Sequence, residues 1–299
     1  MLTAPRRARV TRLAFTLVEI LVALSIVGIM GAMFTRMVLS QSRFTDQQNA
    51  LRGARMVSRQ AMHILESELR MVQDSGGIDL ASDDGKTIRV LAPYRFGLNC
   101  GVADGRTIVS MLPVDSMTLA QATYAGFAWR SHGGRYTTVF PASPLGADAP
   151  VVMADDAQCT GAGASQAQIQ TLTLNGRAGA VLALTPPQPA APMGQAVFLF
   201  QRITYTFRAS TAHPGAVGLY RTVDGGASEE LMAPFDAAAR FKYWTRGATS
   251  SVSAPPALGL IRGVDVVFAG RSSYTPVGRS SPSQSTVVAS IFFRNVRSN

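Results

Sequence analysis

The spacing of apolar and polar positions changes twice along this chain. From Phe15 to Thr35 the only ionisable side chain is Glu19. Such a run is long enough to cross the roughly 30 Å hydrocarbon core of a bilayer as a helix. Beyond it, apolar residues recur at Leu51, Ala54, Val57, Ala61, Ile64, Leu65, Leu69 and Val72. Intervals of three and four mark one helical face. No proline interrupts Phe15 to Val72, Gly28, Gly31 and Gly53 are soft points, and Ser75-Gly76-Gly77 supplies a stop. The pattern therefore predicts one helix over 15–75, with a transmembrane part at 15–37. Unbroken, it would measure roughly 85 Å. A coiled-coil stalk fits less well, because the apolar intervals lose heptad order beyond about three heptads.

From Ile78 the pattern becomes that of strands, short runs rich in Val, Ile, Thr, Tyr and Phe between turn residues. The runs are Thr87–Leu91, Thr107–Leu112, Tyr136–Phe140, Gln168–Leu174, Ala180–Thr185, Ala196–Phe200 and Arg202–Phe207. Then come Gly218–Thr222, Arg240–Trp244, Gly263–Phe268 and Thr286–Phe293. Asp84-Gly85, Asp104-Gly105 and Asp224-Gly225 read as turns, and Ile203–Phe207 with Gly218–Thr222 as a hairpin. Thr185–Gln195, Ala248–Gly259 and Ser272–Ser285 read as loops. The fold class expected is α+β: a long N-terminal helix packed on a mostly antiparallel β domain over 76–299.

Charge sharpens the N-terminal reading. Residues 1–14 carry Arg6, Arg7, Arg9 and Arg12 and no acid, so without them the net charge of +10 falls to +6. By the positive-inside rule this segment stays in the cytoplasm and the β domain lies outside. A cleavable secretory signal would have a shorter apolar region ending at a small-residue site. A simple signal anchor explains the arginines and the length. It does not explain Glu19, since an acid inside an apolar span is costly unless paired.

A basic leader, a small residue, Phe15-Thr16-Leu17-Val18-Glu19 and then an apolar run resemble the N-terminal signal of type IV prepilins. The resemblance implies a leader over 1–14, cleavage after Ala14 by a prepilin peptidase, and N-methylation of Phe15. Glu19 would be the fifth mature residue, pairing with the terminal amine of a neighbouring subunit; a buried carboxylate is tolerable beside such a cation. The family usually carries Gly before the cut, where this chain has Ala14. A looser resemblance covers about a third of the chain. Ile203–Phe207, Gly218–Gly226, Phe241-Lys242-Tyr243-Trp244 and Ile261–Val267 are similar to larger minor pilins of the PilW kind and to J-type minor pseudopilins of type II secretion. The partners implied are other pilins or pseudopilins and the inner membrane.

The remaining residues carry less chemistry. Cys100 and Cys159 are the two cysteines, without CxxC spacing or a nearby histidine. They read as one disulfide in an extracytoplasmic domain or as two separate buried thiols. His63, His132 and His213 lie far apart, and no metal site, cofactor loop or catalytic motif is read from the sequence. Asp83-Asp84 and Asp155-Asp156 fit turns better than calcium ligands, and Glu229-Glu230 fits a solvated pair. After the leader the basic residues are scattered, which argues against a nucleic-acid groove. A structural, non-enzymatic subunit near a filament tip or in assembly initiation is the leading expectation. The alternatives are a membrane-anchored adhesin or DNA-uptake receptor and a membrane-anchored enzyme.

Overall fold

The computed structural model describes residues 16–72, 77–114, 124–130, 136–140, 151–154, 173–174, 177–224, 226–255 and 257–293. Ala14, Phe15 and Cys159 lie outside them, as do Asp155-Asp156 and residues 168–172 of the expected strand Gln168–Leu174.

Helix α1 runs unbroken from Leu17 to Leu69, 53 residues, or about 80 Å. It ends before the predicted Ser75-Gly76-Gly77 stop. Arg70 caps it, and the Met71 and Val72 amides take carbonyls only three residues back, at Glu68 and Leu69. That tightening is how a helix commonly closes. The residues buried on α1 are Ala50, Ala54, Ser58, Ala61, Leu65 and Leu69. The face is therefore rotated slightly from the expected one: Leu51 and Val57 lie at its flank, half-buried, and small residues hold its centre.

The reason lies in the sheet. A Cβ placed on Gly270 would overlap the Ala54 carbonyl oxygen and the Ser58 hydroxyl. Helix and strand touch backbone to backbone there, which only small residues on both sides permit. Further along, Leu65, Leu69 and Val72 enter a core with Phe207, Phe235, Phe241 and Phe268. Rings in that core lie 5.1–6.5 Å apart from Phe207. Burying Leu65 and Leu69 contributes about 1.5–3 kcal/mol each. Glu68 adds a bond to Arg221 at 3.3 Å, with burial pushing its carboxyl up against the pull of that arginine.

The β domain is built on a ribbon of two long antiparallel strands, β2 (Thr87–Ala103) and β10 (Ala196–Ala209). One end of the ribbon belongs to the lobe under the helix. There β1 (Ile78–Ala81) flanks β2, and β11 (Val217–Val223) flanks β10. The sheet continues through β12 (Ser228–Phe235), β14 (Ile261–Arg271), β13 (Arg240–Thr245) and β15 (Gln284–Phe292). The other end carries β3 (Arg106–Met111), β9 (Val181–Leu184) and β6 (Val151–Ala154) beside β2, with β4 (Gly126–Arg130) and β5 (Tyr136–Val139) beside β10. This second lobe has its own core of Val109, Phe127, Trp129, Leu182 and Leu199. A further hairpin joins β7 (Thr173–Leu174) to β8 (Arg177–Ala178). Between the lobes the register slips once, where Leu199 faces Arg95 and Phe200 faces Pro93. The bulge accommodates a proline, which cannot donate to the ladder.

Two predicted runs, Ala196–Phe200 and Arg202–Phe207, are thus one strand. The hairpin of β10 with β11 has the expected pairing, Thr206 opposite Tyr220. The Asp104-Gly105 turn has both residues at positive φ, 50° and 69°, the geometry that two-residue hairpins require.

Candidate functional site

The N-terminal end of α1 is set by Thr16. Its backbone is extended, and its hydroxyl accepts the Glu19 N–H at 3.3 Å. Threonine three residues before an acid is an N-capping pattern, and an acid in the first turn also suits the helix dipole. This signal is present in the sequence beside the prepilin resemblance, and it gives Glu19 a local role as well. The cap uses the Glu19 amide, not its carboxylate. That carboxylate lies on an exposed flank with Ile20, Ala23, Leu24 and Val27.

Every residue from Thr16 to Thr45 is exposed, including Leu17 at 78% and Phe34 at 69%. Two hydroxyls within the apolar part of this stretch are satisfied by the helix itself. Ser25 donates to the Leu21 carbonyl and Thr35 to the Gly31 carbonyl, both at 2.8 Å. An apolar surface with no open backbone polar group is what a bilayer core requires. The helix is long and apolar enough to cross a membrane.

Where α1 meets the β domain, a strap between β14 and β15, Ser272–Ser283, holds it. Ser272 closes the strap base through its hydroxyl, which accepts the Ser283 N–H at 2.9 Å and donates to the Tyr274 carbonyl at 2.6 Å. The Val277 N–H donates to the Asp46 carboxylate at 2.8 Å, and the Tyr274 hydroxyl donates to the Asp46 carbonyl at 3.2 Å. The Ser-rich stretch read as a plain loop is therefore a clasp. Nothing in its composition announces that role, since the partner lies more than 200 residues away.

Cys100 is buried in the second lobe and disulfide-bonded. The chain's other cysteine, Cys159, lies outside the described residues. Asp84 forms a turn, accepting from the Ser82 hydroxyl at 2.6 Å and the Lys86 N–H at 2.9 Å; Asp155-Asp156 lies outside the described residues. His63 is exposed on the helix. Among the described residues no group of three His, Cys, Asp or Glu could hold a metal.

Glu229-Glu230 is not a solvated pair. Glu229 is exposed, but Glu230 turns toward the β10–β11 loop and accepts bonds from the Ser210 and Thr211 hydroxyls, the Thr211 amide and the Tyr220 hydroxyl. Burial would raise its carboxyl; these donors outweigh that and hold it at about 2. The alternation of side chains along a strand explains why only one of the two is engaged.

On the face of the sheet away from the helix, β13 presents Arg240, Lys242 and Trp244 in alternation. The Trp244 ring lies 5.7 Å from Phe292, and its N–H donates to Asp265 at 2.6 Å. Arg262 lies over Phe292 at 5.8 Å. Gly263 sits between the two rings, where a Cβ would crowd Phe292.

No family model, curated protein or solved structure matches this chain.

Proposed function

We propose that this protein is a minor pilin or pseudopilin, a membrane-anchored subunit that enters a pilus or a secretion pseudopilus. The observation that carries the reading is the division of α1 into two regimes. Thirty residues, Thr16–Thr45, stand exposed, mostly apolar as far as Leu39 and with a single acid near their start, and the rest is docked on a β domain. A plain anchor needs neither the acid nor the rigid continuation. A filament subunit uses both: the acid can meet a neighbour's amine, and the helix can exchange lipid for neighbouring helices while the domain stays outside.

In this reading the peptidase cuts after Ala14, Phe15 becomes the methylated terminus, and Glu19 pairs across subunits. The cap from Thr16 supports that reading by placing the N-cap one residue, and the first helical residue two, after the new terminus. N-terminal sequencing of the membrane-fraction protein tests it. A mature chain starting at Phe15 is the expected result, and a start elsewhere would sink the proposal.

A second reading, adhesive or DNA-binding, has one observation in its favour, the Arg240–Lys242–Trp244 row beside Phe292. It predicts binding to single-stranded DNA that weakens steeply with salt and is lost on Arg240→Glu with Lys242→Glu.

A further inference from the structure

We infer that the strap and the helix turns beside it rest on the headgroup layer of the bilayer leaflet facing the β domain, and that arginines there engage anionic phospholipid. The inference builds on the reading of α1 as a membrane anchor. The strap grips α1 at Asp46 and Gln47, the first positions that are not fully exposed. Thus the strap is the described part of the β domain that meets α1 nearest its apolar end.

The distances match. Leu39 is the last large apolar residue before the polar stretch Ser40–Arg43, and Asp46 lies seven positions beyond it, about 10 Å along the axis. The headgroup layer on each side of a bilayer is about 5–8 Å thick. A bilayer of about 40–45 Å centred on Gly28, the midpoint of Leu17–Leu39, ends at about the level of Gln41 to Arg43, and any tilt of the helix carries the strap closer.

The side chains match as well. The strap's backbone is fixed by Ser272 and by buried Pro276, and it leaves Val277 and Arg279 exposed, while Tyr274 keeps its hydroxyl on Asp46 and exposes only part of its ring. Val277 and Phe44 are each 62% exposed. On α1, Arg36, Ser40, Arg43 and Gln47 share one face and line one groove. The strap contributes no acid, and the single acid of the helix turns beside it, Arg36 to Gln47, is Asp46, which already accepts the Val277 N–H. Arg36, Arg43 and Arg279 thus outnumber it, which suits phosphate-bearing headgroups. Aromatic and apolar tips beside arginines are the composition of an interfacial anchor. Lipid is favoured over a protein partner because the patch continues a helix surface that already calls for lipid.

Nitroxide labels on the full chain test this, with the native disulfide left oxidised. Labels at Val277→Cys, Leu24→Cys and Ala227→Cys are compared in vesicles of phosphatidylcholine with and without phosphatidylglycerol. The readout is collision with oxygen relative to a water-soluble nickel chelate. Leu24 should read as lipid and Ala227 as water. Val277 should exceed Ala227 several-fold with phosphatidylglycerol, and Arg36→Gln with Arg43→Gln should reduce that excess. A Val277 label reading as water beside a lipid-reading Leu24 overturns the inference. A Leu24 label reading as water overturns the anchor itself. An excess at Val277 indifferent to phosphatidylglycerol and to the arginines overturns the anionic component.

Discussion

Glu230 gathers donors from four residues, Ser210, Thr211, Ala212 and Tyr220, and the cost of losing it can be reasoned from those bonds. Replacing it with Gln turns an amide N–H₂ toward groups that themselves donate. Glu230→Gln should destabilise the domain by about 1–2 kcal/mol at pH 7, the lower end being favoured by the group's access to water. The carboxyl is held below its ordinary value of 4.5, at about 2. Its contribution is therefore complete above 4.5 and is lost as pH falls through about 2. Denaturation midpoints of the two proteins should converge in that window; a gap constant from pH 7 to pH 2 would contradict the assignment. Thr16 invites a similar test at the other end of the chain. Thr16→Ala removes the acceptor for the Glu19 N–H, worth about 1 kcal/mol to a helix start. Because the Glu19 carboxylate is untouched, filament entry should persist.

Between α1 and β14 the critical fact is backbone proximity at Gly270. Gly270→Val must push against the Ala54 carbonyl and Ser58, at a cost of about 1–3 kcal/mol. Gly259→Ala, at a site with open space, should be nearly neutral. Thermal unfolding in detergent separates the two, and equal effects would mean the helix does not dock here. The helix was legible in the sequence because a period of 3.6 repeats over many residues. Its centre was read one position off, since Leu51 and Val57 are more apolar than Ala50 and Ser58; close approach selected the smaller residues, and periodicity does not report distance. Strands β10, β11, β13 and β14 were also legible, being rich in Val, Tyr and Phe. Strand β12 was not: Glu229-Glu230 and Pro234 mask it, and it is held by partners distant in sequence. Strands β1 (Ile78–Ala81) and β4 (Gly126–Arg130) do not stand out because they carry one β-branched residue and none, respectively. Of the candidate site, Glu19 and the apolar run could be read directly, whereas the clasp on Asp46 depends on a contact across most of the chain.

Taken as a whole, the protein joins an exposed apolar rod to a two-lobed sheet. Glu19→Ala should leave membrane fractionation unchanged, because it removes a charge from the apolar run, and should exclude the protein from filaments. Immunoblots of sheared filaments and membranes would decide, and normal incorporation would count against a pairing role. Reduction of the disulfide at Cys100 should destabilise the second lobe by about 2–4 kcal/mol, seen as a lower denaturation midpoint under reductant. Among the described strands, α1 docks on the first lobe, and the two lobes share the ribbon of β2 and β10. A filament under tension would pull on the rod. Load reaching the outer lobe then runs along that ribbon, parallel to its strands, and strains its rungs together rather than one after another. Strands loaded in this way resist separation by shear, so in the proposed filament role the ribbon would act as a mechanical coupling, carrying contact at its outer end without unzipping from its anchor.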